Sequence, residues 1–290
     1  MISFIQRTLR LCCYSMLALV LHTHTAVATP TTIVTTLPPL SALVTWLAPH
    51  ATVHCLLPAH ADPHHMQLTP KQVEQLKAAR LLLRSSRDDG HWTQLRPQGK
   101  TLDLWPSEPS YTHEAHKHEH EHEKNSHAWL NPQEVARILP QLAQALIRLY
   151  PQQQAAIEQR TQEAIHSTQV ILQEWQQQTQ KMDLQHRGVL MQHPAWLNFF
   201  HALNMPVWQV LESGNHGQEQ GPRVLDQALR SVQQHPHSLL IGEQRHSNRA
   251  LSWLHQHHPE STLITLDALG SAHTPWVVLM RHNLHTLTHP

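Results

Sequence analysis

A stretch of histidines and glutamates between His113 and His127 is the segment whose residue types most directly indicate chemistry. It reads HEAHKHEHEHEKNSH, and no apolar residue larger than alanine interrupts it. Neutral imidazole is the commonest side-chain ligand for borderline transition metals, and carboxylates add oxygen ligands. We therefore expect the tract to bind metal, the alternative being a solvated loop of biased composition. Its candidate ligands are His113, His116, His118, His120 and His122.

The overall composition narrows the classes of partner. The 290 residues include 29 histidines, and Lys plus Arg equal Asp plus Glu at 21 each. This charge balance does not favour nucleic acid or an anionic membrane surface. The length suffices for one large domain or two smaller ones.

Residues 1–28 have the pattern of a secretory signal peptide. Arg7 and Arg10 precede the apolar run LCCYSMLALVL, and residues 26–28 (AVA) offer a small-x-small cleavage site. The rival interpretation is a lipoprotein signal, because Cys12 and Cys13 lie in the run. Both come too early and lack the expected small residues before them, so we expect cleavage near Ala28 and a soluble periplasmic protein.

Cleavage there leaves Cys55 as the one cysteine of the mature chain, which excludes an intramolecular disulfide. Cys55 lies in the apolar run VHCLL, so we expect a small buried side chain rather than a ligand or nucleophile.

Short β-rich runs alternate with amphipathic stretches along the mature chain, which is typical of βαβ units and parallel sheets. The predicted strands are Ile33–Thr36, Val53–Leu57, Arg80–Arg84, Thr101–Trp105, Gly188–Gln192, Val207–Leu211, Ser238–Gly242 and Thr262–Asp267. The predicted helices are Pro39–Ala48, Pro70–Ala79, Asp89–Leu95, Pro194–Leu203, Gly221–Gln234, Asn248–His257 and Pro275–Leu287.

A long stretch without glycine, from Asn131 to about Met182, separates the two sets of strands. Pro151 can occupy the first turn of a helix, so we expect one helix to end near Tyr150 and another to run to about Lys181. The apolar positions of this stretch do not sustain a heptad, which argues against a coiled coil.

The predicted fold is therefore α/β, with two lobes, each a four-stranded parallel sheet flanked by helices, joined by one long rigid helix. The expected segments are a signal peptide at 1–28, an N-terminal lobe at 29–149 that carries the His-rich loop 113–127, a connecting helix at 150–182 and a C-terminal lobe at 183–290.

Ligands of open α/β sheets collect outside the carboxyl ends of the strands. Three candidate ligands follow such ends: His64 in DPHHM, His193 after the fifth predicted strand, and Asp267 at the end of the eighth. His127, in HAWLNP, lies just before the helix that is expected to begin at Asn131 and Pro132. Each could instead be an ordinary turn or capping residue.

An ordered set of motifs resembles one family. The motifs are IVTTLPPLSALV, DPHHMQLTP, the His-rich loop, HAWLNP, the long helix, HPAWLNFF, GEQRHSNRAL and TLDALG, and they span nearly the whole mature chain. Together they resemble the periplasmic metal-binding component of zinc or manganese ABC transporters, the ZnuA-like solute-binding proteins.

The resemblance implies His64, His127, His193 and Asp267 as metal ligands. Three imidazoles and a carboxylate suit tetrahedral Zn²⁺, and His193 argues against Mn²⁺, because manganese-binding relatives carry a carboxylate there. Asn131 replaces the family's usual Asp, which removes a charge beside His127. Glu219 and Glu243 match recurrent carboxylates that we expect to be structural.

The implied function is capture of Zn²⁺ between the lobes and delivery to an ABC permease by a monomer that is not an enzyme. The alternatives are a periplasmic zinc buffer or chaperone without a permease, and a zinc-dependent hydrolase. Against the hydrolase, the sequence has no HExxH and no motif that places a general base beside the ligands.

Overall fold

The computed structural model describes residues 32–59, 61–63, 66–86, 96–105, 127–212 and 221–290. Within these ranges the chain is mixed α/β, with two four-stranded parallel sheets flanked by helices and one long helix between them. The predicted fold class is confirmed. The signal peptide, the helix expected at Asp89–Leu95 and most of the His-rich tract lie outside the described residues.

The two sheets have the same strand order. The first consists of β1 (Thr32–Thr35), β2 (Thr52–Cys55), β3 (Leu81–Arg84) and β4 (Lys100–Asp103), in the spatial order β2-β1-β3-β4. The second consists of β5 (Val189–Met191), β6 (Val207–Val210), β7 (Leu239–Glu243) and β8 (Thr262–Leu266), in the order β6-β5-β7-β8. All eight strands fall where the sequence predicts them. Since every pairing is parallel, the carboxyl ends of each sheet share one edge.

Within the described residues, helices connect most pairs of successive strands, and several helices begin at a proline, whose fixed φ suits the first turn and whose missing N–H is not needed there. They are α1 (Pro38–Leu47), α2 (Pro70–Ala78), α3 (Pro132–Leu149), α4 (Gln154–Lys181), α5 (Leu184–Arg187), α6 (Leu197–Ala202), α7 (Pro222–Gln234), α8 (Arg249–His257) and α9 (Trp276–Thr288). The helix predicted at Pro194–Leu203 is divided into a 3₁₀ turn, Pro194–Trp196, and α6. The 3₁₀ turn Ala128–Leu130 and the short α5 were not predicted.

The long helix α4 contacts both halves of the molecule. Its 28 residues span about 42 Å. Arg160 donates to the carbonyl of Leu47 at the end of α1, and Glu174 forms a two-bond ion pair with Arg281 of α9. The predicted connecting helix is therefore present, and it is fixed to elements on either side.

Threonines complete the buried stripe of α4. The buried positions follow each other at intervals of three or four residues: Ile157, Thr161, Ala164, Thr168, Ile171, Trp175 and Thr179. Each threonine hydroxyl donates to a carbonyl of the preceding turn, so no buried hydroxyl there lacks a partner. A search for apolar residues alone misses this stripe, because threonine satisfies its own polar group within the helix.

One continuous apolar core includes residues of both sheets and of α4. Tryptophans link its parts: Trp175 of α4 stacks on Trp196 at 5.7 Å between ring centroids, and Trp46 of α1 stacks on Trp276 of α9 at 5.8 Å. Burial of large aromatic side chains favours one packing arrangement. In the described part of the chain, no helix is long and apolar enough to cross a membrane.

Candidate metal centre

His193 stands at the carboxyl end of β5 and is oriented by a carboxylate. Its Nδ1 lies 2.9 Å from Oε2 of Glu243, the last residue of the neighbouring strand β7. An ionised carboxylate only accepts, so Nδ1 donates and Nε2 keeps a lone pair that is available for a metal ion. The His193 side chain is 10% exposed and that of Glu243 is 7% exposed.

Glu243 is itself held by its backbone. Asn248 accepts from the Glu243 N–H through Oδ1 and donates to the Glu243 carbonyl through Nδ2, both at 3.1 Å. Gly242 makes room for this amide, because a Cβ there would lie 2.7 Å from the Asn248 side chain. Glu243, expected to be structural, therefore positions a candidate metal ligand.

His127 is positioned by an unusual backbone conformation. Its φ of 56° and ψ of 27° lie in the left-handed region, which costs a non-glycine residue about 1 kcal/mol or more. Its carbonyl accepts from Leu130 at 2.9 Å. Two indole bonds hold the turn that follows: Trp129 Nε1 donates to the Ala268 carbonyl at 2.8 Å, and Trp276 Nε1 donates to the Trp129 carbonyl at 2.7 Å.

The structure brings the rings of His127 and His193 together. Their centroids are 4.9 Å apart at an interplanar angle of 83°, and both residues are largely buried. Burial lowers the pKa of His193, but the hydrogen bond with Glu243, the charge of that carboxylate, and the charges of Glu212 and Asp62 outweigh it and hold the pKa above its ordinary value. A divalent cation would benefit from the same negative charge.

Asp267 directly follows β8, and hydrogen bonds hold both its side chain and its backbone. Its Oδ1 accepts from the backbone N–H groups of Leu269 and Gly270 at 3.0 and 2.9 Å, and its own N–H donates to Asn283 at 2.7 Å. The neighbouring Ala268 accepts the Trp129 indole bond, so Asp267 adjoins the turn that begins at His127.

His64, like His65, lies outside the described residues, but its flanks are ordered by contacts. Asp62 is close enough to raise the pKa of His193. On the far side, Gln72 reaches back from α2 to the Leu56 carbonyl at 2.6 Å, and Thr69 and Gln72 form a capping box at the start of the helix. Asp62, on one flank of the loop, therefore lies near His193, and the other flank is attached to the chain just after β2.

The remaining candidates have mixed outcomes. The five accessory candidates of the His-rich loop, His113, His116, His118, His120 and His122, lie outside the described residues, as does Glu219. Asn131, where a charge is missing relative to the expected Asp, caps α3 by accepting from the Gln133 N–H at 3.0 Å and donates to Asn198 at 2.8 Å. The Asn131 amide therefore stabilises the start of α3 and links it to Asn198.

Two residues near His193 were not predicted. His246, in the turn after β7, stacks on His193 at 4.4 Å between centroids, and Glu212 follows β6. His193, Glu243 and His246 each offer a ligand atom, and these atoms lie within 4.8 Å of one another. The strand-end rule that selected His193 and Asp267 also selects Glu243 and Glu212 when it is applied to β7 and β6.

The fold and the buried histidines define a metal-binding protein of two similar α/β halves. The chain matches the model of the ZnuA family, the periplasmic component A of the zinc-uptake complex, over residues 33–289. The match covers most of the chain, so the protein belongs to the ZnuA family, whose members are periplasmic metal-binding proteins rather than enzymes.

Individual relatives agree with this assignment. A Thermotoga maritima protein, named as a candidate metal-binding protein, is 26% identical over 261 residues, covering 88% of this chain and 91% of the relative. The crystal structure of ZnuA superposes with a TM-score of 0.72 at 20% identity, over 89% of this chain and 98% of that one. A manganese-bound periplasmic metal-binding protein from Candidatus Liberibacter asiaticus gives 0.72 at 15% identity, over 89% and 98%. At these identities the solved structures show the shared fold.

Proposed function

We propose that this protein captures Zn²⁺ between an N-terminal lobe, residues 29–149, and a C-terminal lobe, residues 183–290, joined by the segment 150–182. The observation that carries the proposal is the buried pair of His127 and His193, with the second ring oriented by Glu243. Two buried imidazoles backed by a carboxylate match the requirements of a zinc site.

The proposed ligands are His64, His127, His193 and Asp267. Imidazole nitrogens favour Zn²⁺, whereas Mn²⁺ prefers oxygen ligands. Because a structural neighbour was solved with manganese, the identity of the metal needs a direct test. Protein purified without chelator should contain zinc, and an excess of Mn²⁺ should not displace it. Manganese in the purified protein, or a metal-bound crystal structure without His127 and His193 as ligands, would contradict the assignment.

The His-rich loop is proposed as an accessory that raises the local zinc concentration through weaker sites at His113, His116, His118, His120 and His122. Linked weak sites act through effective concentration rather than through a fixed geometry. Removal of Thr112–Lys124 should leave the tightest zinc site intact and lower the total number of bound ions. Loss of the tightest site in equilibrium dialysis would place the transport site in the loop instead.

Delivery to the permease of an ABC transporter is the final step of the proposal. The protein would be exported by the signal peptide at 1–28 and act as a periplasmic monomer. Deletion of its gene should impair growth in zinc-depleted medium, and growth should return with added zinc. His193→Ala should fail to restore growth, and His237→Ala, an exposed histidine before β7, should succeed. Normal uptake of radioactive zinc by the deletion strain would favour a buffer without a permease.

A further inference from the structure

Four polar side chains meet at the carboxyl ends of three adjacent strands in the second sheet. Strands β6, β5 and β7 are neighbours in that order. Glu212 lies at the carboxyl end of β6, His193 at that of β5 and Glu243 at that of β7, and His246 lies in the turn after β7. The side chains of Glu212, Glu243 and His246 are 5%, 7% and 8% exposed. Both carboxylates lie 3.8 Å from the His246 ring, and a positive charge between them would offset the cost of burying them.

One carboxylate oxygen of this cluster is unsatisfied. Glu212 accepts from Gln192 Nε2 through Oε1 at 2.8 Å. Its Oε2 is buried and has no hydrogen-bond partner in the described part of the chain. The atom faces His246 Nδ1 at 3.8 Å, too far for a hydrogen bond. A native protein rarely buries such an oxygen unless a proton or a cation completes its environment.

The other nitrogen of His246 faces the second carboxylate. Nε2 lies 3.8 Å from Glu243 Oε1, which again exceeds hydrogen-bond distance. Two atoms that bind one zinc ion at about 2.0–2.1 Å lie about 3.4 Å apart in a tetrahedral site. A contraction of a few tenths of an ångström therefore lets Nε2 and the Glu243 carboxylate share an ion. Nδ1 of His246 would then donate to Glu212, the arrangement in which a carboxylate orients a metal-binding histidine.

We propose that His193, Glu243 and His246 form a second, inner position for the transported zinc ion. This inference rests on the proposed function, because His193 also belongs to the outer position with His127. A neutral imidazole offers one lone pair, so His193 binds the outer ion through Nε2 or the inner ion through Nδ1, with its proton on the other nitrogen. One ion therefore occupies the two positions in alternation, and Glu212 is a positioning residue for the inner one.

The inner position predicts residual binding when the outer site is broken. The test uses the full chain with the five loop histidines, His113, His116, His118, His120 and His122, replaced by Gln. In this parent, His127→Ala should weaken zinc binding but retain one site, measured by competition with a chelator of known affinity. Adding His246→Gln should weaken the residual site at least about 100-fold. Loss of a residue that only orients a metal ligand already costs about 10–100-fold, and His246 is proposed as a ligand itself.

A matched control and a direct observation complete the test. Adding His237→Gln instead, at the opposite end of β7, should leave the residual site unchanged. Thermal melting of each metal-free variant checks folding. Anomalous diffraction from the His127→Ala protein with zinc should show the ion between His193, Glu243 and His246. The inference is overturned if His127→Ala binds no zinc, or if His246→Gln does not weaken what it binds.

The role of Glu212 has its own readout. Glu212→Gln should weaken the residual site of His127→Ala about 10-fold and weaken zinc binding by the parent clearly less, because the parent also has the outer position. An equal loss in both proteins would mean that Glu212 only supports the fold. If His127→Ala binds zinc as tightly as its parent, the outer site of the proposed function is wrong, whereas the dependence on His246 still decides the inner position.

Discussion

His127 and His193 face each other, yet they are held in different ways. His193 continues a strand of a parallel sheet, and a carboxylate on the next strand fixes its ring. His127 stands in a left-handed turn whose position depends on two indole hydrogen bonds from Trp129 and Trp276. The difference indicates that the second sheet is the preorganised half of the candidate site. The turn at His127 is kept in a costly conformation by tertiary contacts.

The first and largest expected effect comes from removing each histidine in turn. His193→Ala should lower zinc affinity at least about 100-fold, because it removes a ligand that Glu243 has already oriented. His127→Ala should cost less, since the carboxylates beside His193 remain. Isothermal titration against a competing chelator measures both, with His237→Ala as the control. Equal losses would mean that the two halves of the site contribute alike.

The second effect tests what the carboxylate contributes. Glu243→Gln keeps the size of the side chain but removes the charge that orients His193, so zinc affinity should fall about 10- to 100-fold. Glu158→Gln, on the exposed face of α4, is the matched control for loss of one negative charge. Affinity that is unchanged in Glu243→Gln would show that sheet geometry alone positions His193.

The third effect concerns the left-handed turn. His127→Gly and His127→Ala both remove the ring, but glycine adopts a φ of 56° without the steric cost that alanine pays. The glycine variant should therefore be more stable than the alanine variant by about 1 kcal/mol in urea unfolding of the metal-free protein. Equal free energies of unfolding would mean that the turn relaxes when the ring is absent.

The sequence predicts the sheets well and the site only in part. The eight strands are recognisable because each is a short apolar run bounded by turn residues, and a parallel sheet buries such runs on both faces. The ends of β5 and β8 then select His193 and Asp267. These inferences depend on local pattern, which a single sequence displays directly.

The rest of the site depends on which strands are neighbours. Glu243 and Glu212 come close to His193 only because the sheet order places β7 and β6 on either side of β5. His246 is one of 29 histidines, and its spacing from Glu243 does not distinguish it. The residues around His127 in the sequence do not predict its left-handed conformation either, because that conformation depends on hydrogen bonds with Ala268 and Trp276, far along the chain.

The smallest expected effect is at Cys55, which ends strand β2 of the first sheet. Burial raises the pKa of the Cys55 thiol, and Sγ donates a hydrogen bond to the Leu57 carbonyl at 3.5 Å. The thiol therefore stays protonated at neutral pH, and a protonated thiol is a poor zinc ligand. Cys55→Ser should leave zinc affinity unchanged.

The wild-type thiol should also react with iodoacetamide more slowly than in the urea-unfolded chain, and the rate should rise with pH as the thiolate forms. Fast alkylation at neutral pH that zinc prevents, together with weaker binding by Cys55→Ser, would instead make Cys55 a ligand. In that case the first sheet would contribute a strand-end ligand as the second sheet does, and the contrast between the two halves of the site would fail.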